Sequence, residues 1–338
     1  MLPVIEVAGG ASIARGTELG RATAAQVEHS LTTYRSLLPA ITGRSWPELI
    51  ALAHPMISAV RPFDAPLVDE LVGIAAGSNV SFDDIAVVSA RSELLQLAPS
   101  SPVGECTLIV NDGRIGQTWD WFIGQLAASI VWRTPRFVAF AEAGMPPKIG
   151  VNSNGVAVTL TFLRTRLSVE PAGVPVHAML HHLLEHATST ADAVHRLLSV
   201  RAAGCAAIGV LDPSGAAAVI ELGPHGRTSL ATAAQPFAHT NHCLAPSLVG
   251  LDTPGLLLDN SAARLTRARM LIDGGAGIED VLSDDVGPHP IALEAGGDLG
   301  TVVAVVVDVH ARALHIAPGN PARVAFSQTI ALSAERAL

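Results

Sequence analysis

Lysine is almost absent from this chain: Lys148 is the only one in 338 residues. Basic charge rests on scattered arginines, and 21 Lys+Arg stand against 30 Asp+Glu, a formal net charge of −9. No basic stripe forms, which argues against a nucleic-acid partner. There are only three cysteines, an odd number widely spaced at 106, 205 and 243. That argues against a disulfide framework and for reduced thiols. No apolar run reaches the roughly 18 residues that span a membrane. The longest candidate, 202–222, is broken by Asp212-Pro213-Ser214-Gly215. The opening Met1-Leu2-Pro3-Val4-Ile5-Glu6 has no basic segment leading into an apolar core, so no signal peptide is read and a cytoplasmic location is expected.

What the chain has in quantity is hydrophobic side chains, 49% of residues, enough for a large core. Length alone permits two domains. No internal repeat or low-complexity linker divides it, so one compact unit is expected. The first hundred residues read as helices. Residues 5–15 suggest a strand and turn, and 17–38 a polar helix. Ser45-Trp46-Pro47-Glu48 opens a second helix as a capping box, running to about Val60. Asp64-Ala65-Pro66 opens a third, with Leu67, Leu71 and Ile74 on one face and Gly77 as its stop. Ser81-Phe82-Asp83-Asp84 opens a fourth, which carries Arg91 and Glu93 and ends at Pro99 to Pro102. Beyond Cys106 the period changes to two. Hairpins are expected at 107–121, around Asn111-Asp112-Gly113, and at 148–163, around Ser153-Asn154-Gly155. Two more are expected at 206–222 and 301–317. Helices are expected at 176–187, 190–199, 261–272 and 277–282. Alternating hairpins and helix pairs predict two packed antiparallel sheets with helices on both sides, an α+β fold.

One cysteine sits at the seam, immediately before the apolar run Thr107-Leu108-Ile109-Val110. A cysteine attacks as its thiolate, and its free pKa lies about 1.5 units above neutral. An N-terminal residue carries its own base, because an α-amino group titrates at roughly 7.7–8.0. Cys106 is internal as translated, so this chemistry requires cleavage of the Glu105–Cys106 bond. The plain alternative is a small buried thiol, which is also the reading for Cys205 and Cys243.

Gly104-Glu105-Cys106-Thr107 followed by Gly116-Gln117-Thr118-Trp119-Asp120-Trp121 resembles the isopenicillin N acyltransferase family, the acyl-coenzyme A:6-aminopenicillanic acid acyltransferases. The resemblance continues at 150–158, at 173–177, at His239-Thr240-Asn241-His242-Cys243 and at Ser261-Ala262-Ala263-Arg264. It implies a self-processing N-terminal-nucleophile enzyme with a four-layer αββα sandwich. A helical segment, 1–105, would become the smaller chain, and 106–338 would bear the nucleophile, the two staying associated. It implies Cys106 as nucleophile, Asp120 as the catalytic aspartate and Asn241 as oxyanion donor; Thr107 and His239 are candidate supporting residues, and Asn152 either braces the site from the next hairpin or serves its own turn. An acyl-Cys106 intermediate would pass its acyl group to an amine or to water. The substrate would be a small acyl amide or thioester of secondary metabolism. No metal or organic cofactor is implied, and coenzyme A would enter as part of a substrate. The sequence departs from the family at Thr118, usually asparagine, and at Leu299, where fungal members carry arginine; Arg91 and Arg264 are the candidates to replace it. Self-association is left open.

Two rival readings come from other classes. His182-Leu183-Leu184-Glu185-His186 fits an inverted zinc-peptidase motif, with two histidines four apart on a helix, but a third ligand is missing. A non-catalytic homologue that binds acyl compounds is the other. Asn79-Val80-Ser81 fits a glycosylation acceptor that a cytoplasmic chain would not use. Trp119 and Trp121 share one strand face, either core, the preferred reading, or the lining of an acyl pocket.

Overall fold

In the computed structural model, the described residues are 1–98, 105–233, 235–253 and 256–332, and the expected helix stop at 99–102 lies outside them. Strand β1 (Val4–Glu6) precedes helices α1 (Ser12–Ala22), α2 (Ala24–Thr42), α3 (Trp46–Phe63), α4 (Ala65–Ser78), α5 (Phe82–Ser89) and α6 (Arg91–Leu95). Ser45 and Glu48 close the capping box of α3, Asp64 Oδ1 caps α4 by accepting from Leu67 N at 3.1 Å, and Ser81 caps α5. The helix expected over 17–38 is two helices that part at Thr23. The first of them, α1, crosses α4 closely. Gly16 and Gly20 of α1 press on the backbone of α4, and Gly73 and Gly77 of α4 press on that of α1, so that a Cβ at any of them would collide with backbone. Gly77 therefore packs rather than stops the helix, which ends at Asn79 in the left-handed region (φ 59°).

The rest of the chain is mainly strands. A six-stranded antiparallel sheet has the order β11 (Phe237–His239), β2 (Glu105–Asn111), β3 (Arg114–Phe122), β12 (Leu299–Asp308), β13 (Ala313–Ala317), β14 (Gln328–Ala331). An eight-stranded sheet runs β1, β4 (Ser129–Arg133), β5 (Phe137–Glu142), β6 (Ile149–Asn152), β7 (Ala157–Phe162), β8 (Ala206–Leu211), β9 (Ala217–Leu222), β10 (Ser229–Thr232), with β1 parallel to β4 and the others antiparallel. Helices α7 (Val176–His186) and α8 (Thr190–Ser199) cover the outer face of the eight-stranded sheet through β6 to β9. Helices α9 (Leu256–Asp273) and α10 (Ile278–Leu282) cover the six-stranded sheet, where Leu265, Ala268 and Leu282 meet Ile109 and Val306. The result is the four-layer αββα sandwich preceded by a helical segment. Val302, Val303, Val305 and Val307 of β12 lie between the sheets, each contributing roughly 1.5–3 kcal/mol by burial.

Candidate active site

The site grows from the β2–β3 hairpin. Asp112 and Gly113 both take positive φ, 50° and 69°, the pattern of a tight two-residue turn whose twist matches the strands. That turn fixes the register: Glu105 opposite Asp120, Cys106 opposite Trp119, Thr107 opposite Thr118. Period-two alternation then puts Cys106, Gln117, Trp119 and Trp121 on the face toward the other sheet. Thr107 falls on the opposite face, under α9. Asp120 is out of phase with the tryptophans, and Thr301 Oγ1 donates to its Oδ1 at 2.6 Å, beside a bulge in β12 between Thr301 and Val303.

The backbone of Cys106 is tied on both sides. Its N–H donates to Asn241 Oδ1 at 2.6 Å. Its carbonyl accepts from Arg264 Nη1 at 2.7 Å, and the same nitrogen donates to Thr107 Oγ1 at 2.9 Å. Arg264 Nη2 reaches Asn241 Oδ1 at 2.9 Å. Ser261, one turn earlier on α9, accepts from Asn241 N at 2.7 Å. One helix thus presents Ser261 and Arg264 to one short strand and the loop after β11. Arg264 is fully buried, and the stretch Ser261-Ala262-Ala263-Arg264 was its signal in the sequence. Asn241 differs from the expected oxyanion donor in its contacts: its oxygen receives Cys106 N–H and Arg264, and Nδ2 donates to Phe162 O at 2.9 Å.

Two of the expected supporting residues lie away from the thiol. Asn152 Oδ1 accepts from Asn154 N and Val156 N inside its own turn, while Nδ2 donates to Ala187 O at 2.8 Å at the end of α7. It holds a hairpin to a helix and does not line the cleft. His239 Nε2 meets Glu221 Oε1 at 2.9 Å, and the same carboxylate accepts from Leu244 N and Ala245 N. His239 thereby fixes the loop that carries Asn241. Thr118, in the family's asparagine position, accepts from Thr107 N at 3.1 Å and joins the two strands.

Cys106 faces a cleft of about 510 Å³ that includes its open mouth. Trp119 and Trp121 line it, stacked with centroids 6.3 Å apart, together with Leu95, Ile149 and Phe162. They are core residues and cleft lining at once. Gln117 bridges the sheets here: its Oε1 accepts from Leu160 N at 2.8 Å and its Nε2 donates to Leu160 O. Burial, and then the Asp120 charge, push the Cys106 thiol up to about 11, against the opposing effects of the Asp120 backbone N–H, Arg264 and Gln117. Ionisation of the thiol is therefore disfavoured at neutral pH in the uncut chain.

Arg91 and Lys148 also line the cleft, and sequence reading missed the lysine. Lys148 Nζ sits 3.5 Å from the Trp119 ring centroid, and Arg91 Cζ 4.6 Å from that of Trp121. Both donate to Glu142 Oε2, Arg91 at 2.8 Å, while Tyr34 OH donates to Oε1 at 2.6 Å. Burial and the Arg91 charge drive the Lys148 pKa well down, and Glu142 lies low because both cations face it. His177, bonded to Ser92 Oγ at 3.2 Å, is pushed well down by burial and by the same two cations. Glu93, whose Oε1 accepts from Val176 N at the start of α7, is pushed up to about 7 by burial. Leu299 is half-buried beside Phe122 on β12.

The zinc-peptidase reading fails on tautomers. Asp64, from the helical segment, stands where a third ligand would: its Oδ2 is 3.1 Å from His182 Nδ1 and 4.0 Å from His186 Nε2. Arg196 Nη1 lies 3.1 Å from His182 Nε2. A guanidinium can only donate, so Nε2 accepts, and Nδ1 carries the proton that Asp64 receives. In that arrangement Asp64, His182 and Arg196 satisfy one another by hydrogen bonds. Glu185, the motif's glutamate, is ion-paired with Arg15 at 3.1 Å and Arg136 at 3.5 Å. Cys205 and Cys243 are buried, and burial raises both thiols, Cys205 to about 11.

Residues 110–323 match the model of a family described as acyl-coenzyme A:6-aminopenicillanic acid acyl-transferase. Cys106 lies four residues before that stretch, while Asp120, Asn241 and Arg264 lie inside it. The chain is 25% identical over 328 residues, 90% of each chain, to the acyl-coenzyme A:6-aminopenicillanic-acid-acyltransferase 40 kDa form of Emericella nidulans. Among solved structures it is similar to a penicillin V acylase from Agrobacterium tumefaciens (13% identity, 63% of this chain and 82% of that one, TM-score 0.42). It is also similar to a conjugated bile acid hydrolase mutant from Clostridium perfringens (11% identity, 69% and 100%, TM-score 0.45). The family match covers more than half of the chain, and it includes β3, Asn241 and the helix that carries Arg264: the chain belongs to the acyl-coenzyme A:6-aminopenicillanic acid acyl-transferase family.

Proposed function

We propose that this protein is a self-processing acyltransferase or amide hydrolase that works through an acyl-Cys106 intermediate. The observation that carries this reading is the double anchoring of Cys106, N–H to Asn241 and carbonyl to Arg264, at the lip of an apolar cleft. In the uncut chain the Cys106 thiolate attacks the Glu105 carbonyl. The Glu105–Cys106 C–N bond breaks as the C–S bond forms, and the amine takes a proton. Water then hydrolyses the thioester, leaving Glu105 with a carboxylate and Cys106 with a free thiol and a free amine. Segments 1–105 and 106–338 stay together.

The freed amine supplies the base that the buried thiol lacks. Asn241 Oδ1 already holds that nitrogen, and Asp120, whose charge acts on the Cys106 side chain, favours the amine's charged form. The thiolate attacks an acyl amide or acyl thioester, acyl-coenzyme A included, and expels the amine or thiol. An incoming amine or water then takes the acyl group and restores the thiol. One Asn241 amide hydrogen is committed to Phe162 O; the second is available to an oxyanion, where one donor is worth about 2.7–4 kcal/mol. The test is an intact mass of the 106–338 segment after brief exposure to an acyl thioester. An added mass of one acyl group, removable by hydroxylamine and absent after thiol alkylation, is expected. Unchanged mass with continuing turnover would sink the covalent mechanism.

A further inference from the structure

Two side-chain amides near Cys106 are docked on the same strand edge. Gln117 Oε1 accepts from Leu160 N at 2.8 Å, and its Nε2 donates to Leu160 O. Asn241 Nδ2 donates to Phe162 O at 2.9 Å. The edge is open because of what precedes β6. The ladder between β6 and β7 ends at Gly150 opposite Val158. Continued along both strands, it would set Lys148 against Leu160. Lys148 N donates to Phe140 O at 2.9 Å instead, and Pro146 and Pro147 before it have no N–H to give. Backbone groups left over on β7 need other partners, and the two amides are those partners. Gln117 reaches across from the other sheet. Period-two alternation puts it on the same face of its hairpin as Cys106, with Leu108 opposite Gln117 and Trp119 opposite Cys106. The two are diagonal neighbours, within reach of a long side chain.

A primary amide carries two hydrogens. Leu160 takes the Gln117 oxygen and one of these hydrogens, which fixes which end of the buried amide is nitrogen. The second hydrogen is left to the cleft that Gln117 and Cys106 both line. The sulfur there has need of a donor. Burial and the Asp120 charge oppose its ionisation, and a hydrogen bond from the Gln117 side chain works against them. We infer that Gln117 is a catalytic residue: its second Nε2 hydrogen is donated to the Cys106 sulfur and holds the thiolate for its attack, first on the Glu105 carbonyl and later on the acyl donor. The clamp on Leu160 aims that donor, so the break in the ladder at Pro146-Pro147 is what lets β7 orient a group at the nucleophile. The use in catalysis rests on the acyl-Cys106 reading; the bond to the sulfur does not.

Alkylation of Cys106 by iodoacetamide, followed through the mass of its peptide across the alkaline range, reads the sulfur directly. Gln117→Met removes the donor without adding charge. It should move the pH profile upward and slow alkylation about tenfold at a fixed pH below the midpoint. Gln117→Glu keeps an acceptor for Leu160 N but puts a second carboxylate near the sulfur, so its profile should move further. Cutting of the chain should slow by about tenfold in Gln117→Met. Profiles that overlay that of the wild type, whatever the melting temperature does, reduce Gln117 to a brace between the sheets and overturn the inference. The wild type supplies the same answer without any variant. In its NMR spectrum the Gln117 side-chain amide should shift when Cys106 is titrated or methylthiolated; an amide that stays put overturns the inference even if neither variant folds. A wild-type chain that is never cut or acylated, yet whose Cys106 profile moves with Gln117, would keep the bond to the sulfur and remove the acyl-Cys106 mechanism.

Discussion

Around Cys106 the backbone N–H donates to Asn241, and the carbonyl and the neighbouring Thr107 hydroxyl both accept from Arg264, partners that belong to the segment following the proposed cut. The cationic wall of the same cleft is assembled differently. Tyr34 and Arg91 come from the helical segment, Glu142 and Lys148 from the sheet segment, and Glu142 accepts from all three of the others. The first arrangement is fixed before any ligand arrives, as chemistry at a single atom requires. The second is built across the two segments. The comparison teaches that a cut before Cys106 would leave the contacts of its backbone intact within 106–338, while the cationic wall holds only as long as the two segments stay docked.

Removing the thiol should break the first half most. Cys106→Ala is expected to abolish chain cutting and to lower turnover by about 10³-fold or more, read by mass and by single-turnover kinetics. Asn241→Ala should slow cutting by roughly 10²–10³-fold; a change in melting temperature with an unchanged cutting rate would reduce Asn241 to a loop brace. On the cationic wall, Glu142→Gln should cost about 3–5 kcal/mol in urea unfolding, because it leaves two buried cations without an anion. Adding Lys148→Met to Glu142→Gln should restore part of that loss, and failure to do so would separate the lysine from the arginine energetically.

The contact between the segments should also set the pH dependence of stability. His181, buried on α7, lies 3.0 Å from Glu70 and 3.8 Å from Asp64 of the helical segment. Despite burial, these carboxylates raise it from 6.5 to about 10. Its contribution is complete below the unfolded value of 6.5 and is lost as pH rises through 10. Glu93, raised from 4.5 to about 7, likewise contributes below 4.5 and loses that contribution as pH rises through 7. Asp64 and Glu70 lie below their ordinary values through these partners, so they withdraw stability as pH falls through the acid range. Thermal stability should peak on the mildly acidic side of neutral and decline by several degrees toward pH 9.5; a flat profile from pH 6 to 9.5 would contradict the buried His181 ion pairs. Asn152→Ala marks the small end of the scale, about 1 kcal/mol of stability with no change in the rate of cutting.

Much of the layout was legible in the sequence where local chemistry decides it. The capping residues Ser45, Asp64 and Ser81 opened the helices they promised, and Asp112-Gly113 set the hairpin that carries Cys106 and Asp120. Strands β4 and β5 went unread because their residues are buried on both faces, leaving no period of two. Gly77 was misread because its neighbour is another helix, which only the tertiary crossing with α1 reveals. The same holds for Lys148 and Glu142: six residues apart in sequence, they become a site only when β5 and β6 bring them beside Arg91 and Tyr34. Of the two readings open for Asn152 the structure gives it the turn, whereas motif proximity did not show that His239 fixes a loop through Glu221.

The most direct measurement is the intact mass of the purified protein under reducing conditions, beside that of Cys106→Ala. The account predicts two species for the wild type, residues 1–105 and 106–338, and a single 338-residue chain for the variant. A wild-type chain that stays whole would deny Cys106 its free amine and contradict the mechanism at its first step.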